Sequence, residues 1–252
     1  MTNRSPNHPD SAPRWLLARG LRDTARRFGG DWTATSREAR VRLLSTFAWG
    51  LVGASALMVL LCVAGRKLDD AGRLAWETPV LHAVARGPLS FDAALWAESP
   101  GNSVFMIPVV LAAALLCVWM RRPLRAVAVL GSFFMLDLVV LVGWLAWDRA
   151  RPTEIAGGIA APGFHSFPSG HVAQMAAAYG FFVWLWMRGS RSAAEKVFAV
   201  AILIAATALV ALARLRLGSH WPTDLIGAAV VGLAWLAITI VALKRAEAAG
   251  GR

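Results

Sequence analysis

Residues Phe164 to Phe182 read FHSFPSGHVAQMAAAYGFF, and this stretch joins a polar lip to an apolar, helix-like run. Beyond Gly170 the run has the composition of a membrane span, where a histidine is energetically costly. The stretch therefore predicts a helical membrane protein. It leaves open whether His171 marks a functional site or is a lip residue without a role.

The composition extends this prediction to the whole chain. Of the 252 residues, 57% are hydrophobic and 16% are charged, and the mean hydropathy is +0.54. Apolar runs of about 20 residues can cross a bilayer as helices, which satisfy their backbone hydrogen bonds internally. An all-α polytopic fold is predicted, with six transmembrane helices in one bundle near residues 43–65, 102–120, 124–147, 170–187, 197–215 and 221–243.

The distribution of charge predicts the orientation of the chain. The net charge is +11, from 26 basic and 15 acidic residues. With both termini in the cytoplasm, 18 of the 26 basic residues fall on the inner side and the other eight on the outer side, as the positive-inside rule describes. Topology and attraction to anionic lipid therefore explain the basic charge, and no nucleic-acid partner is predicted.

Three regions are predicted: a basic cytoplasmic tail at 1–42, the six-span domain at 43–243, and a short basic cytoplasmic tail at 244–252. Residues 1–13 are expected to be disordered. The rest of the first tail has an apolar helical face and an opposite basic face, formed by Leu17, Leu21, Thr24 and Phe28 against Arg19, Arg22 and Arg26. This pattern is typical of an amphipathic helix on the inner leaflet, with protein docking as the alternative.

The two cysteines, Cys62 and Cys117, fall in predicted spans near opposite membrane faces, so no disulfide is expected. No group of cysteines and histidines has zinc-binding spacing. Neither a metal nor another cofactor is predicted.

Polar residues suited to chemistry collect in three outer stretches: DRARP (148–152), PSGH (168–171) and ARLRLGSHWPTD (213–224). In the second stretch, Ser169 is a good helix N-cap and Gly170 leaves the backbone amides approachable. The start of a helix favours an anion such as phosphate, and His171 would lie beside that anion. The alternative is an ordinary cap with an interfacial histidine.

In the third stretch, Pro222 suits the first turn of a helix, which predicts that His220 and Asp224 lie one helical turn apart on one face. A carboxylate bonded to one ring nitrogen raises the basicity of the other. This pairing suits a nucleophilic or general-base histidine. The alternative is a capping aspartate beside an exposed histidine.

Arginines on the outer side are not explained by the positive-inside rule, so their presence there needs another explanation. Arg151 and Arg214 flank the histidines in the chain, and arginine can bind phosphate oxygens bidentately. Arg149 and Arg216 are auxiliary candidates, either as helpers at the same site or as side chains that extend to the headgroups.

Together the three stretches resemble the signature of the type-2 phosphatidic acid phosphatase superfamily, which is Lys-x6-Arg-Pro, Pro-Ser-Gly-His and Ser-Arg-x5-His-x3-Asp. The resemblance covers roughly residues 43–243. It implies that His220 forms a phosphohistidine, that Asp224 orients its ring, and that His171 acts as general acid. It also implies catalysis without a metal and a phosphate site built from Arg151, Arg214, Ser169 and Gly170.

Two positions depart from that signature. Trp144 stands where the family has its lysine, and Ala213 stands where the third motif has serine. An active enzyme with altered substrate handling is expected. A phospholipid binder or transporter without turnover is the alternative.

Two further residues are auxiliary candidates. Asp137 lies about 15 Å below the outer end of the third span, at 1.5 Å rise per residue. It is either functional or bonded to a neighbour such as Ser132, Ser103 or Gln174. His165 is expected at the pocket entrance, beneath short helices formed by residues 66–101.

The sequence thus predicts an integral membrane lipid phosphatase on the outer face of a bacterial inner membrane, with membrane lipid and the bilayer as its partners. The expected substrate is a lipid phosphate or diphosphate of the polyprenyl diphosphate, phosphatidylglycerol phosphate or phosphatidate class. A phosphotransferase that passes the phosphoryl group to another lipid is the alternative within enzymes.

Overall fold

The computed structural model describes residues 14–152, 155 and 165–250, and its regular structure in these ranges is helical throughout. A 3-10 turn occupies Ser99–Gly101 and a π turn occupies Met175–Tyr179. The α-helices in chain order are α1 (Arg14–Ala34), α2 (Arg37–Asp70), α3 (Glu77–Ala85), α4 (Phe91–Glu98), α5 (Ser103–Trp119), α6 (Pro123–Ala146), α7 (Gly170–Gln174), α8 (Gly180–Gly189), α9 (Ala193–Arg216) and α10 (Pro222–Ala249).

Within the described ranges, five segments are long and apolar enough to cross a membrane: Arg37–Asp70, Phe91–Trp119, Pro123–Ala146, Ala193–Arg216 and Pro222–Ala249. The predicted all-α, multi-pass membrane fold is confirmed. The predicted span at 170–187 lies in the run formed by α7, the π turn and α8. Because the π turn interrupts that run, the count of six spans stays a prediction.

The centre of the bundle is formed by α2, α6 and α10. Phe47 of α2, Phe133 of α6 and Trp235 of α10 are all almost fully buried there. The Trp235 indole Nε1–H donates to the carbonyl oxygen of Gly131 at 3.1 Å, so this large side chain is buried without leaving its polar group unsatisfied. Helix α10 therefore has a fixed position against α6, and its N-terminus carries the third motif.

The run α7–π–α8 packs closely on α10 through small residues. A Cβ added at Gly232 of α10 would lie 2.6 Å from the carbonyl oxygen of Ala173, so only glycine allows this approach. Ala177 and Ala178 of the π turn are fully buried. The π turn inserts an extra residue into the helix shortly after the PSGH stretch. Such turns are frequent at functional sites of proteins.

The segment between α2 and α5 contains two short helices, α3 and α4, as the sequence predicts for residues 66–101. Both pack against α9 at the end of the bundle that holds the three polar stretches. Ala94 of α4 is buried with Ala213 and Leu217 in a small apolar cluster. This contact attaches α4 to the last turn of α9, directly before His220.

At the opposite end of the bundle, α1 precedes the corner that leads into α2. Phe28 stacks on Trp32 at 5.8 Å between ring centroids, and Trp32 packs against the core, while Leu21 is 68% exposed. A helix with one such exposed apolar face fits the predicted interfacial position, which stays a prediction. The expected disorder of residues 1–13 lies outside the described residues. Cys62 and Cys117 are both free thiols, in agreement with the absence of a predicted disulfide.

Candidate active site

The N-termini of α7 and α10 lie next to each other at one end of the bundle. The Ser169 backbone N–H donates to the carbonyl oxygen of Asp224 at 3.3 Å, which joins the PSGH stretch to the first turn of α10. The DRARP stretch lies beside the PSGH stretch, because the N–H of Ser166, two residues before Pro168, donates to the Arg149 carbonyl oxygen at 2.8 Å. Three stretches that are far apart in sequence therefore form one site.

His220 is almost fully buried, and its ring orientation is fixed by a backbone group. Its Nδ1 lies 2.8 Å from the carbonyl oxygen of Ser166. Because a carbonyl oxygen can only accept, Nδ1 carries the proton and Nε2 keeps its lone pair. Nε2 lies 3.5 Å from Nη2 of Arg214, so the free nitrogen faces a guanidinium group.

Asp224 supports His220 in a different way from the one that the sequence predicts. His220 precedes α10 rather than lying on it, and its Nδ1 is 3.6 Å from Asp224 Oδ2, beyond hydrogen-bond distance. The two side chains are close, as the sequence predicts, and His220 lies two residues before the first residue of α10. Asp224 Oδ2 accepts from the Trp221 N–H at 2.7 Å and also from the Ser166 hydroxyl, so it fixes both chain segments around the ring.

Arg149 holds the Asp224 carboxylate in place. Its Nη1 donates to Asp224 Oδ1 at 2.7 Å and to the Thr223 hydroxyl at 2.8 Å, and its Nη2 pairs with Glu77. The guanidinium also lies 4.8 Å from the Trp147 ring centroid. Neither a phosphate-binding helper nor a headgroup-seeking side chain describes Arg149, because it is 6% exposed and its donors are engaged inside the protein.

Glu77 is a site residue that sequence reasoning missed. It is 1% exposed and lies in the first turn of α3, from which its Oε1 accepts the Thr223 N–H at 2.9 Å and the Thr223 hydroxyl at 2.7 Å. Its other oxygen pairs with Arg149. No local pattern in the sequence links position 77 to position 223. An acidic residue at the start of an apolar short helix was the only available signal.

Arg214 is 8% exposed and faces two groups of opposite chemistry. Its Nη1 pairs with Glu98 at the end of α4, and its Nη2 faces His220. Glu98 was also missed by the sequence analysis. The α4 carboxylate holds the guanidinium against His220 Nε2, in a position from which arginine could bind an anion.

Buried polar atoms without a partner mark the space between these residues. Within the described residues, Ser169 Oγ, His171 Nε2 and Arg214 Nε are buried and make no hydrogen bond. Ser169 occupies the predicted N-cap position, but its hydroxyl caps no backbone amide. Buried polar groups are normally satisfied, so these three atoms are available to bond a polar group that enters the site.

His171 packs its ring against the 3-10 turn of the outer segment. A Cβ added at Gly101 would lie 2.9 Å from His171 Cβ and 3.0 Å from its Cδ2. His220, Arg151 and Arg214 all lie close enough to interact electrostatically with His171. The structure thus places both predicted histidines and both predicted phosphate-binding arginines around one space.

Two of these groups lie in the loops outside the spans, and their environment shifts their ionisation. Burial lowers the pKa of His220 to about 4; Arg214 and Arg151 add to the shift, and Asp224 opposes it. The ring is therefore neutral at pH 7, as a nucleophile requires. Burial and the nearby Arg214 lower the pKa of Arg151, whose Nη1 donates to the Ser219 carbonyl oxygen at 2.7 Å.

The remaining auxiliary candidates lie elsewhere. Arg216 Nε donates to the Leu89 carbonyl oxygen at 2.9 Å and holds the link between α3 and α4. His165 pairs with the exposed Asp148. Asp137 accepts from Gln174 Nε2 at 2.7 Å, and the same amide donates to the Phe133 carbonyl oxygen at 3.0 Å. Gln174, one of the three neighbours that the sequence offers, is therefore the residue to which Asp137 is bonded.

Comparison with known proteins adds the family. Residues 125–247 match the model described as PAP2 superfamily. The match covers 123 of the 252 residues, so this segment is similar to the PAP2 superfamily. It contains all three polar stretches, so the resemblance found in the sequence is confirmed. A comparison with curated proteins gave no match.

Two solved structures are similar to this chain, and the first of them shares its fold. The first is the transmembrane PAP2-type phosphatidylglycerolphosphate phosphatase from Bacillus subtilis, at 20% identity and a TM-score of 0.62, covering 79% of this chain and 94% of that chain. The second is LpxE from Aquifex aeolicus, at 19% identity and a TM-score of 0.49, covering 67% of this chain and 95% of that chain.

The structure explains the local setting of the two departures from the PAP2 signature. The Trp144 indole Nε1–H donates to the Pro168 carbonyl oxygen at 3.2 Å, so this side chain supports the PSGH stretch. Ala213 is fully buried against α4 and makes an apolar packing contact. Across residues 14–152, 155 and 165–250, no group of three His, Cys, Asp or Glu side chains is arranged to hold a metal ion.

Proposed function

We propose that the chain is a lipid phosphatase that hydrolyses a membrane lipid phosphate or diphosphate through a phosphohistidine on His220. The observation that carries this proposal is the setting of that ring. Its Nδ1–H is bonded to the Ser166 carbonyl oxygen, and its free Nε2 faces the Arg214 guanidinium. The match of residues 125–247 to the PAP2 model supports a phosphatase that acts on membrane lipids.

In the first step, the His220 Nε2 lone pair attacks phosphorus and forms an N–P bond. The P–O bond to the leaving group breaks, and the leaving oxygen takes a proton from His171. A bound phosphate dianion offsets the positive charge of Arg151 and Arg214, which favours the protonated form of His171. The two arginines stabilise the negative charge on the phosphoryl oxygens in the transition state.

In the second step, water attacks phosphorus, the N–P bond breaks, and inorganic phosphate leaves. His171, now neutral, accepts the proton from that water. Ser169 Oγ and the Gly170 N–H lie at the start of the helical run, where they suit the phosphoryl oxygens. Metal-independent catalysis follows from this scheme as a prediction.

The position of the site supports a lipid as substrate. It lies at the ends of apolar helices, where a phosphate headgroup in water and acyl or prenyl chains in the bilayer meet the protein together. The solved relative from Bacillus subtilis is described as a phosphatidylglycerolphosphate phosphatase. Polyprenyl diphosphate, phosphatidylglycerol phosphate and phosphatidate are therefore the proposed substrate classes, on the outer face of a bacterial inner membrane.

Phosphate release by the detergent-purified chain, in the presence of chelator, tests this proposal. The panel holds undecaprenyl diphosphate, phosphatidylglycerol phosphate, phosphatidate and a phosphorylated lipid A, each with wild type and His220→Ala. We expect release that survives chelator and falls by about 10⁴-fold or more in the variant, as for loss of other catalytic nucleophiles. Trapping of acid-labile phosphate on His220 provides the direct chemical readout.

The absence of release from every lipid would contradict hydrolysis. Labelled phosphate that moves to an added lipid alcohol would then show a phosphotransferase. Binding without either reaction would show a phospholipid binder. In that case Trp144→Lys restores the family lysine and shows whether the tryptophan is what blocks turnover.

A further inference from the structure

A second polar cavity lies at the end of the bundle opposite the candidate active site. It has a volume of about 400 Å³ and is bordered by the α1–α2 corner, the α5–α6 turn and the ends of α8 and α10. Helix α6 has 24 residues, begins at this cavity and ends beside the active-site loops. At 1.5 Å rise per residue the two sites are about 36 Å apart, roughly the thickness of a bilayer.

The lining of this cavity is strongly basic. Its charged residues are four arginines and one glutamate, namely Arg121, Arg122, Arg125, Arg188 and Glu247. They leave an excess of three positive charges. Glu247 accepts from Arg125 Nε at 3.2 Å and from Arg188 Nη1 at 2.7 Å. In the part of the chain that the structure describes, the guanidinium groups of Arg121 and Arg122 have no acceptor.

Arg121 has a backbone conformation that favours glycine. Its φ is +55°, and it follows the last turn of α5 at the position where a left-handed residue ends many helices. The Arg121 N–H donates to Val118 and the Arg122 N–H donates to Cys117, at 3.0 and 2.8 Å. Glycine is the usual residue at such a position, and this chain has an arginine there.

Tryptophans place the mouth of the cavity at the level of lipid headgroups. Trp119, two residues before Arg121, is 72% exposed, and Trp186, two residues before Arg188, is 63% exposed. The Arg188 guanidinium also lies 4.9 Å from the Trp184 ring centroid. Because exposed tryptophans collect at the membrane–water interface, the arginines face headgroups rather than bulk water.

We propose that this cavity binds the phosphate-bearing headgroup of an anionic phospholipid, in the leaflet opposite the active site. Arg121 and Arg122 supply the unpaired guanidinium groups that match phosphate oxygens. Glu247 pairs with Arg125 and Arg188, which line the sides of the cavity. Basic pockets between membrane helices are typical of such headgroup sites.

A thermal-shift titration of the full chain in neutral detergent tests the proposal. The probe is dioctanoyl phosphatidylglycerol, a phosphodiester, with dioctanoyl phosphatidylcholine as the neutral comparison. We compare wild type, Arg121→Gln/Arg122→Gln and the charge-matched control Arg191→Gln/Lys196→Gln. The control alters an exposed arginine and a partly exposed lysine near the start of α9, outside the cavity. A ligand that binds the folded state raises the unfolding midpoint with concentration.

We expect phosphatidylglycerol to stabilise wild type and the control equally, and its apparent affinity to fall tenfold or more in the cavity variant. A photoreactive phosphatidylglycerol should cross-link to residues 119–125 or 244–250. The single variant Arg122→Gln, outside the left-handed position, should also lose affinity, which separates loss of binding from disruption of the turn.

Equal losses in the cavity variant and the control would overturn the proposal, because they would show diffuse attraction to a basic face. Stabilisation by sodium phosphate or glycerol phosphate at the concentrations that suffice for the lipid would overturn the lipid assignment. Cross-links that map only to the loops around His220 would place the lipid at the active site and reject the second site.

Discussion

At the residue scale, the behaviour of His220 follows from its two ring nitrogens. The backbone carbonyl of Ser166 fixes the proton on Nδ1, so Nε2 keeps its lone pair and is the atom that the proposed mechanism uses. The sequence predicts the pairing of this histidine with Asp224, because the two residues are only four positions apart in the chain. It does not predict the carbonyl acceptor, since Ser166 lies 54 residues away and approaches only after folding.

The low pKa of His220 predicts an unusual pH profile. The neutral ring attacks, so a pKa lowered by burial to about 4 extends activity to lower pH than an ordinary histidine of about 6.5 allows. We expect the acidic limb of kcat/KM, which reports the free enzyme, near pH 4 for a short-chain lipid phosphate. A limb near 6.5, after correction for ionisation of the substrate, would contradict this assignment.

His171 is distinguished from His220 by its dependence on the leaving group. We expect His171→Gln to lower kcat by about 10²–10⁴-fold for an alkyl phosphate, because the departing alkoxide needs a proton. For p-nitrophenyl phosphate, whose leaving group is stable as an anion, the loss should be much smaller. Equal losses for both substrates would assign His171 a structural role.

At the element scale, α3 and α4 are as much a part of the site as the helices that carry the motifs. Glu77 of α3 pairs with Arg149, and Glu98 of α4 pairs with Arg214. Helical periodicity and apolar length predict that these elements exist. They do not predict the two ion pairs, because no sequence period relates α3 and α4 to arginines more than 70 residues away.

Glu77→Gln tests the contribution of α3. The substitution leaves the buried Arg149 guanidinium without its counter-charge, and breaking a buried pair in this way typically costs about 3–5 kcal/mol. We expect a lower unfolding midpoint in detergent together with reduced kcat, since Arg149 also holds Asp224. Asp92→Asn, an exposed change in the same segment, is the control and should leave both unchanged.

At the scale of the whole molecule, the two polar sites lie at opposite ends of a membrane bundle. The candidate active site is at the ends of α6 and α9 and the start of α10, and the basic cavity is at the start of α6 and the end of α10. The charge bias predicts that the basic cavity faces the cytoplasm. The active site would then face outward.

Labelling of intact cells with a membrane-impermeant maleimide tests this orientation. Asp148→Cys replaces an exposed residue beside the active site, and Arg191→Cys replaces an exposed residue between α8 and α9. We expect Asp148→Cys to react in intact cells and Arg191→Cys to react only after lysis. The opposite result would invert the topology. The native Cys62 and Cys117 lie within helices and provide the background control.

The sequence alone determined the helical membrane fold, and it pointed to the two histidines, Asp224 and the arginines of the proposed phosphate site. These features depend on local information, namely the length of apolar runs and the spacing within short motifs. Only the tertiary structure decided that Arg149 positions Asp224, that Ser166 orients His220, and that Glu77 and Glu98 complete the site. Those roles depend on distances between segments that meet only when the apolar helices pack. The spacing of residues along the chain does not give these distances.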